Sequence, residues 1–336
     1  MKRFVLSVFA FATFLLVLLG AWAFLLLQAE WRGWKDSCAL PPGCDMVVCC
    51  DSQTETGLSS AVLPRLFNAS RSGTRLCQWY LRTMDVCAAN KGRIKWGVID
   101  VPAVKLWREK PDDAPNFGMA RSLAPLHIYH WRQNTVPVAS LLADFCRETW
   151  GVKSRPLIRH LVGGERYVDS IRGGFAPFAD QGLLEHREYV MRRMDAQAAK
   201  TVEARAAVRA SGICPFASLR WIDAIISVYR SCGAQVVLIQ TPVHRYLASR
   251  VADACAEADV AIERFAAARG IPVLNYRDML FPDDEWKDGN HLNERGARRL
   301  TARLKTDVER LERERRRAER HSQRCGKESD ECQRFQ

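Results

Sequence analysis

The sequence predicts an α/β fold, with helices covering both faces of a short parallel sheet. Three observations carry this. The run "AQVVLIQ" (residues 234–240) is continuous, apolar and β-branched, as a strand buried on both faces should be. A long Ala-rich helical pattern covers about residues 246–269 and is closed by Gly270. "IPVLNY" (271–276) then supplies a last short strand, so strands alternate with helices. The chain of 336 residues has ample length for a core, in one large domain or two small ones.

The elements follow in order. Lys2 and Arg3 precede an uncharged apolar run, residues 4–27. A spanning helix needs about 20 apolar residues, and this run meets that length. Cations before it favour a cytoplasmic N-terminus, and Trp31 and Trp34 fall where an interfacial aromatic belt would sit. Ala21-Trp22-Ala23 resembles a cleavage site, so a removed signal peptide is the alternative; the apolar run continuing to Leu27 favours an uncleaved anchor. Either way the sequence after about residue 35 is expected outside the cytoplasm, on the periplasmic or extracellular side.

After the linker "CALPPGC", residues 45–50 ("DMVVCC") form a β-rich run. A turn, "LPRLFN" and a helical pattern from about 72 to 88 come next, and then the strand candidate "RIKWGVID" (93–100). Between about 101 and 214 the rhythm breaks. This stretch has no convincing buried strand and reads as a helical insertion, with helical patterns near 136–150 and 180–211, "HIYHW" (127–131) and "RGGFAPF" (172–178). His127 and His130 read as packing residues. The last helix begins near Glu294, where Ala297, Leu300, Leu304, Val308 and Leu311 make one apolar stripe. The Arg-rich run beyond Leu311 reads as a solvated helix end. The expected organisation is residues 1–35 as cytoplasmic stub and anchor, 36–322 as the α/β domain with its insertion, and 323–336 as a cysteine-containing tail.

Composition bounds the partners. The net charge of +12 favours anionic surroundings. Nucleic acid is excluded as a partner because the basic residues are diffuse or lie in the last helix of an exported chain. The twelve cysteines suggest disulfides, with Cys38–Cys44 and Cys325–Cys332 the pairs close in sequence. Cys49 and Cys50 read as buried strand residues. No CxxC pair and no Cys/His cluster of finger spacing occurs, so no metal and no cofactor are assigned. Oligomeric state is open.

In an open parallel sheet, ligands bind beyond the carboxyl ends of the strands. Those ends carry Asp51-Ser52-Gln53, "ASRSG" ending in Gly73, Asp100, Thr241 with His244, and "DGNH" with Asp288 and His291. Ser52 is the candidate nucleophile, His291 its base and Asp288 the orienting carboxylate. A serine hydroxyl needs a neighbouring base to take its proton, and the imidazole needs a carboxylate on its other nitrogen. Spacing of three lets one loop supply both partners. His244 either touches substrate or is structural.

The order "CCDSQ … FNASRSG … DGNHLN" resembles the SGNH/GDSL hydrolase superfamily. "NASRSG" (68–73) is similar to the family's second block, and Asp288 to His291 to its last. The resemblance covers roughly residues 43–100 and 233–310. It implies a flavodoxin-like three-layer sandwich with a short parallel sheet, here with the helical insertion and an N-terminal transmembrane helix. It also implies that the Gly73 amide donates to the oxyanion. Asn68 is either a second donor or a turn cap. The third block departs: where the family's asparagine donates, this chain has Ile99, which cannot. Loss of one such donor can cost roughly 3 kcal/mol of transition-state stabilisation; the backbone N–H of Gln53 is one substitute. "TPVH" and "HLNERGARRL" resemble a membrane-anchored branch associated with cell-envelope glycans. The expected function is therefore ester hydrolysis or O-acyl transfer at the envelope, on an acylated glycan or lipid-linked substrate. The alternative is a non-catalytic relative that binds glycan or partner proteins.

Overall fold

A computed structural model describes residues 37–108, 186–212 and 215–334, together with most of 4–21. Five parallel strands form one sheet: β1 (Met46–Val48), β2 (Leu66–Asn68), β3 (Trp96–Asp100), β4 (Gln235–Gln240) and β5 (Val273–Asn275), in the order β2-β1-β3-β4-β5. Met46 aligns with both Leu66 and Trp96, and Leu238 with Val273. β1 and β3 are buried at every position, as strands covered on both faces must be. This is the flavodoxin-like order. Its direction reverses between β1 and β3, which opens a crevice beyond their carboxyl ends.

Among the described residues, the α-helices around the sheet are α1 (Ser52–Gly57), α2 (Leu76–Ala89), α3 (Ala103–Arg108), α4 (Arg187–Ser211), α5 (Leu219–Ser231), α6 (Arg245–Arg250), α7 (Ala252–Ala267) and α8 (Glu294–Arg334). Strand side chains alternate between faces, and β3 shows this directly. Trp96 donates through Nε1 to Glu312 of α8 at 2.9 Å. Gly97 points the other way, where a Cβ would collide with the ring of buried Tyr229 on α5. Only glycine admits α5 this close to the sheet. α2 packs beside α5, and α1 beside α8.

The apolar stripe of the last helix is where the spacing put it. Ala297, Leu300, Leu304 and Val308 are buried and Leu311 is partly so. Past the stripe the backbone stays helical to Arg334. Arg298–Glu294, Arg303–Asp307, Arg310–Glu314 and Arg315–Glu319 pair at i,i+4, which supports a polar helix locally.

Several expectations need adjustment. The Ala-rich pattern at 246–269 is two helices. The backbone leaves helical geometry at Val251, whose side chain is buried. The helix near 72–88 begins at Leu76, because Gly73 holds a left-handed φ of 74° just before it. Cys38 and Cys44 are not bonded to each other. The Cys38 sulfur accepts from Arg82, while the Cys44 thiol donates to the Pro64 carbonyl. No helix among the described residues is long and apolar enough to cross a membrane. Residues 6–15 are helical, and the apolar run extends beyond what is described. Residues 109–185 are also outside the description, and with them the pattern at 136–150, "HIYHW" with His127 and His130, and "RGGFAPF". So are the side chains of Cys325 and Cys332.

Candidate active site

The chain leaves β1 at Val48 and turns into α1 at Asp51. Aspartate is a preferred N-cap because its carboxylate accepts an otherwise unpaired helical N–H. Asp51 Oδ1 accepts from the Gln53 amide at 3.0 Å. Capping therefore falls to Asp51, and the hydroxyl of Ser52, first residue of the helix, is left for other work. It lies 2.7 Å from His291 Nε2.

His291 reaches Ser52 from the loop after β5. That loop is held by its own carboxylate: Asp288 Oδ1 accepts from the amides of Asn290 and His291, each at 3.0 Å. The Lys287 amide donates to the His291 carbonyl at 2.9 Å, and an isolated antiparallel bridge joins Trp286 to Leu292. Gly289 is required here, since a Cβ would meet the Met194 side chain of α4 at 2.7 Å. The carboxylate also lies 2.9 and 3.0 Å from His291 Nδ1. An ionised carboxylate only accepts, so Nδ1 carries the proton and Nε2 presents its lone pair to the serine O–H. Ser52, His291 and Asp288 thus form one continuous relay from elements 236 residues and more apart in sequence only by the fold's closure.

The electrostatics match that role. Burial pulls the His291 imidazole down, but its hydrogen bond to Asp288 and the charges of Asp288 and Asp51 outweigh this and leave it above the usual histidine value. For Asp288, burial pushes upward, but the hydrogen bond and charge of His291 and the two backbone donors hold the carboxyl below the usual range.

The second block is tied to the first by hydrogen bonds. The Ala69 amide donates to Val48 O at 2.8 Å, and Arg71 to Cys50 O at 2.9 Å. Ser70 Oγ accepts from the Cys50 amide at 3.0 Å and from Thr54 Oγ1 at 2.8 Å. Ser72 bonds Glu55 of α1 through its amide at 2.6 Å and through its hydroxyl. The resulting turn brings Gly73 to the wall of a cavity of about 340 Å³, which Ser52, Thr74, Arg75, Lys105 and Asn290 also line. This cavity lies in the crevice between the ends of β1 and β3, where the strand order reverses.

Three readings that the sequence left open take one of their alternatives. Asn68 is not directed at the site. It is buried, and both amide hydrogens serve backbone carbonyls, of Thr54 at 2.7 Å and Leu58 at 2.9 Å, so it clamps α1 to β2. The Gln53 amide is already used by Asp51 and is no substitute oxyanion donor. His244 does not line the cavity among the described residues. It caps α6 through Nδ1, meets Asp283 at 3.3 Å through Nε2, and packs edge-on against Trp286. Ile99 is buried in β3 and donates nothing from its side chain.

Sequence reasoning missed Lys105. Its ammonium bonds Asp51 Oδ2 at 2.8 Å and the Thr74 carbonyl at 2.7 Å, and lies 4.3 Å above the Trp79 ring. No motif announces a lone lysine on a short helix. The one available signal was its position five residues past the end of β3, at the strand end already suspected.

No family model matches the sequence, and no curated protein matches it. Solved structures do. A protein named as an acylhydrolase from Bacteroides fragilis shares 11% identity over 83% of this chain and 94% of its own, with a TM-score of 0.37. A GDSL-like lipase from Bacteroides thetaiotaomicron shares 12% identity over 85% of this chain and 99% of its own, with a TM-score of 0.38. The chain's own strand order is flavodoxin-like, and it places Ser52 after β1, Gly73 after β2 and the Asp288–His291 loop after β5.

Proposed function

We propose that the protein is a serine-dependent ester hydrolase or O-acyltransferase. The observation that carries this reading is the 2.7 Å approach of Ser52 Oγ to His291 Nε2, backed by Asp288 at 2.9 Å on Nδ1. The serine proton passes to Nε2 as Oγ attacks the acyl carbonyl carbon. Asp288 stabilises the imidazolium so formed. The amides of Ser52 and Gly73 are the donors assigned to the oxyanion. Nε2–H then protonates the departing alkoxide, leaving an acyl-serine. A second hydroxyl gives its proton to Nε2 and attacks the acyl carbon; the acyl–Oγ bond then breaks and Nε2–H returns the proton to Ser52 Oγ. Water in that place gives hydrolysis; a sugar hydroxyl gives acyl transfer.

The Lys2–Arg3 pair before the apolar run supports a site outside the cytoplasm, and so an acylated glycan or lipid-linked substrate at the envelope. The test is labelling of the full-length protein with a fluorophosphonate, with the modified residue located by mass spectrometry. Ser52 is the expected site, and label is expected to vanish in Ser52→Ala and His291→Ala. A folded wild-type protein that takes no label sinks the proposal. That result favours the second reading, a non-catalytic glycan- or protein-binding relative, for which the apolar Ile99 in the third block speaks.

A further inference from the structure

The oxyanion site of this chain lacks a side-chain donor at Ile99, yet a cation stands beside it. Lys105 Nζ donates to Asp51 Oδ2 at 2.8 Å and to the Thr74 carbonyl at 2.7 Å. Asp51 immediately precedes Ser52, and Thr74 immediately follows Gly73. One ammonium therefore spans the two backbone segments to whose amides the proposed function assigns the oxyanion. Its side chain is 16% exposed and lines the same cavity as Ser52 and Gly73. The Trp79 ring beneath it restricts the head group further. Lys105 also comes from α3, the helix that follows the β3 end where the absent donor would have been.

We infer that Lys105 is a positioning residue for the oxyanion site, fixing the Ser52 and Gly73 turns against each other and neutralising Asp51 beside the reacting serine. The inference rests on the proposed serine chemistry. Its logic is electrostatic as well as geometric. Without the cation, a carboxylate one residue from Ser52 faces a developing oxyanion uncompensated, and the two turns lose their shared tie. Preorganised donors work only if held in place. Among the described residues, the ionisable groups that act most on His291 include Asp288 from its own loop, Asp51 from the β1–α1 turn and Arg193 from α4. Removing Lys105 leaves the Asp51 charge less balanced, which favours protonated His291.

The experiment compares wild type, Lys105→Met and Lys105→Arg as full-length proteins, by fluorophosphonate labelling rate against pH and by turnover of p-nitrophenyl acetate. Thermal melts establish that each is folded. Lys105→Met is expected to lose about tenfold or more in labelling rate and kcat, with KM within about twofold and the pH midpoint displaced upward. Lys105→Arg, which keeps the cation, is expected to recover most of the rate and the original midpoint. A Met variant as fast as wild type overturns the inference. So does an Arg variant that folds but is no faster than the Met variant, and this comparison decides the matter if Lys105→Met is poorly folded. Wild type failing to label is a different failure: it removes the serine chemistry itself and the inference with it.

Discussion

At the scale of single residues, the relay has a testable polarity. Labelling by a fluorophosphonate requires neutral His291, so its rate should rise with pH. Because the imidazole is held above its usual value, the midpoint should lie above about 6.5. Asp288 is the main group raising it, so Asp288→Asn should move the midpoint down while slowing labelling by about 100-fold or more. A pH–rate series on both proteins checks this; an unmoved midpoint would mean that Asp288 does not govern His291. The meeting of Ser52, His291 and Asp288 was legible in the sequence because the expected chemistry demands particular side chains, and these three stand after strands in a workable order. Asn68 and His244 were less legible for a physical reason. Both are polar residues at the active edge, but what they bond depends on which neighbouring groups need partners. The carbonyls of Thr54 and Leu58 claimed one, and Asp283 with the Tyr246 amide claimed the other. No spacing rule reveals that demand.

At the scale of elements, periodicity was a good guide where one face is buried and a poor one where the backbone is interrupted. The α8 stripe was readable because Ala297, Leu300, Leu304 and Val308 land in the core and Leu311 packs at its margin. Truncating one of them should be costly: Leu304→Ala is expected to lower unfolding free energy by about 2–5 kcal/mol in urea titration. A loss below about 1 kcal/mol would show that the helix is not anchored through that face. The split of the Ala-rich pattern at Val251 was not readable, since alanine continues the helical pattern through the break. Strand ends were read long. Of "DMVVCC" only Met46–Val48 pairs as strand, and of "RIKWGVID" only Trp96–Asp100. Cys49 and Cys50 lead on to the turn that carries Ser52, while Asp45 and residues 93–95 precede their strands at the opposite edge of the sheet.

At the scale of the whole molecule, alternation of strands and helices implied a parallel sheet, while the order of its strands came from packing. Placing β1 beside both β2 and β3 is what puts the cavity between the carboxyl ends of β1 and β3, and so puts Lys105 of α3 within reach of Asp51. A lysine's reach across that gap exists only in three dimensions. The N-terminal run makes a separate demand on the whole chain. If it anchors the protein, full-length material should stay with membranes through a carbonate wash and be released by detergent. Recovery of the intact chain in the soluble fraction would refute the anchor.

The cap at the start of α1 has a practical corollary. Asp51, not Ser52, accepts from the otherwise unpaired Gln53 amide of that turn, so the serine side chain is not needed to build the helix that displays it. Ser52→Ala should then keep the wild-type melting temperature while losing all covalent chemistry. Such a protein is a trap: it offers an intact pocket that can hold an uncleaved ester. Under the proposed function, envelope extracts passed over it, with the retained molecules identified by mass spectrometry, would let the pocket select its own ligand.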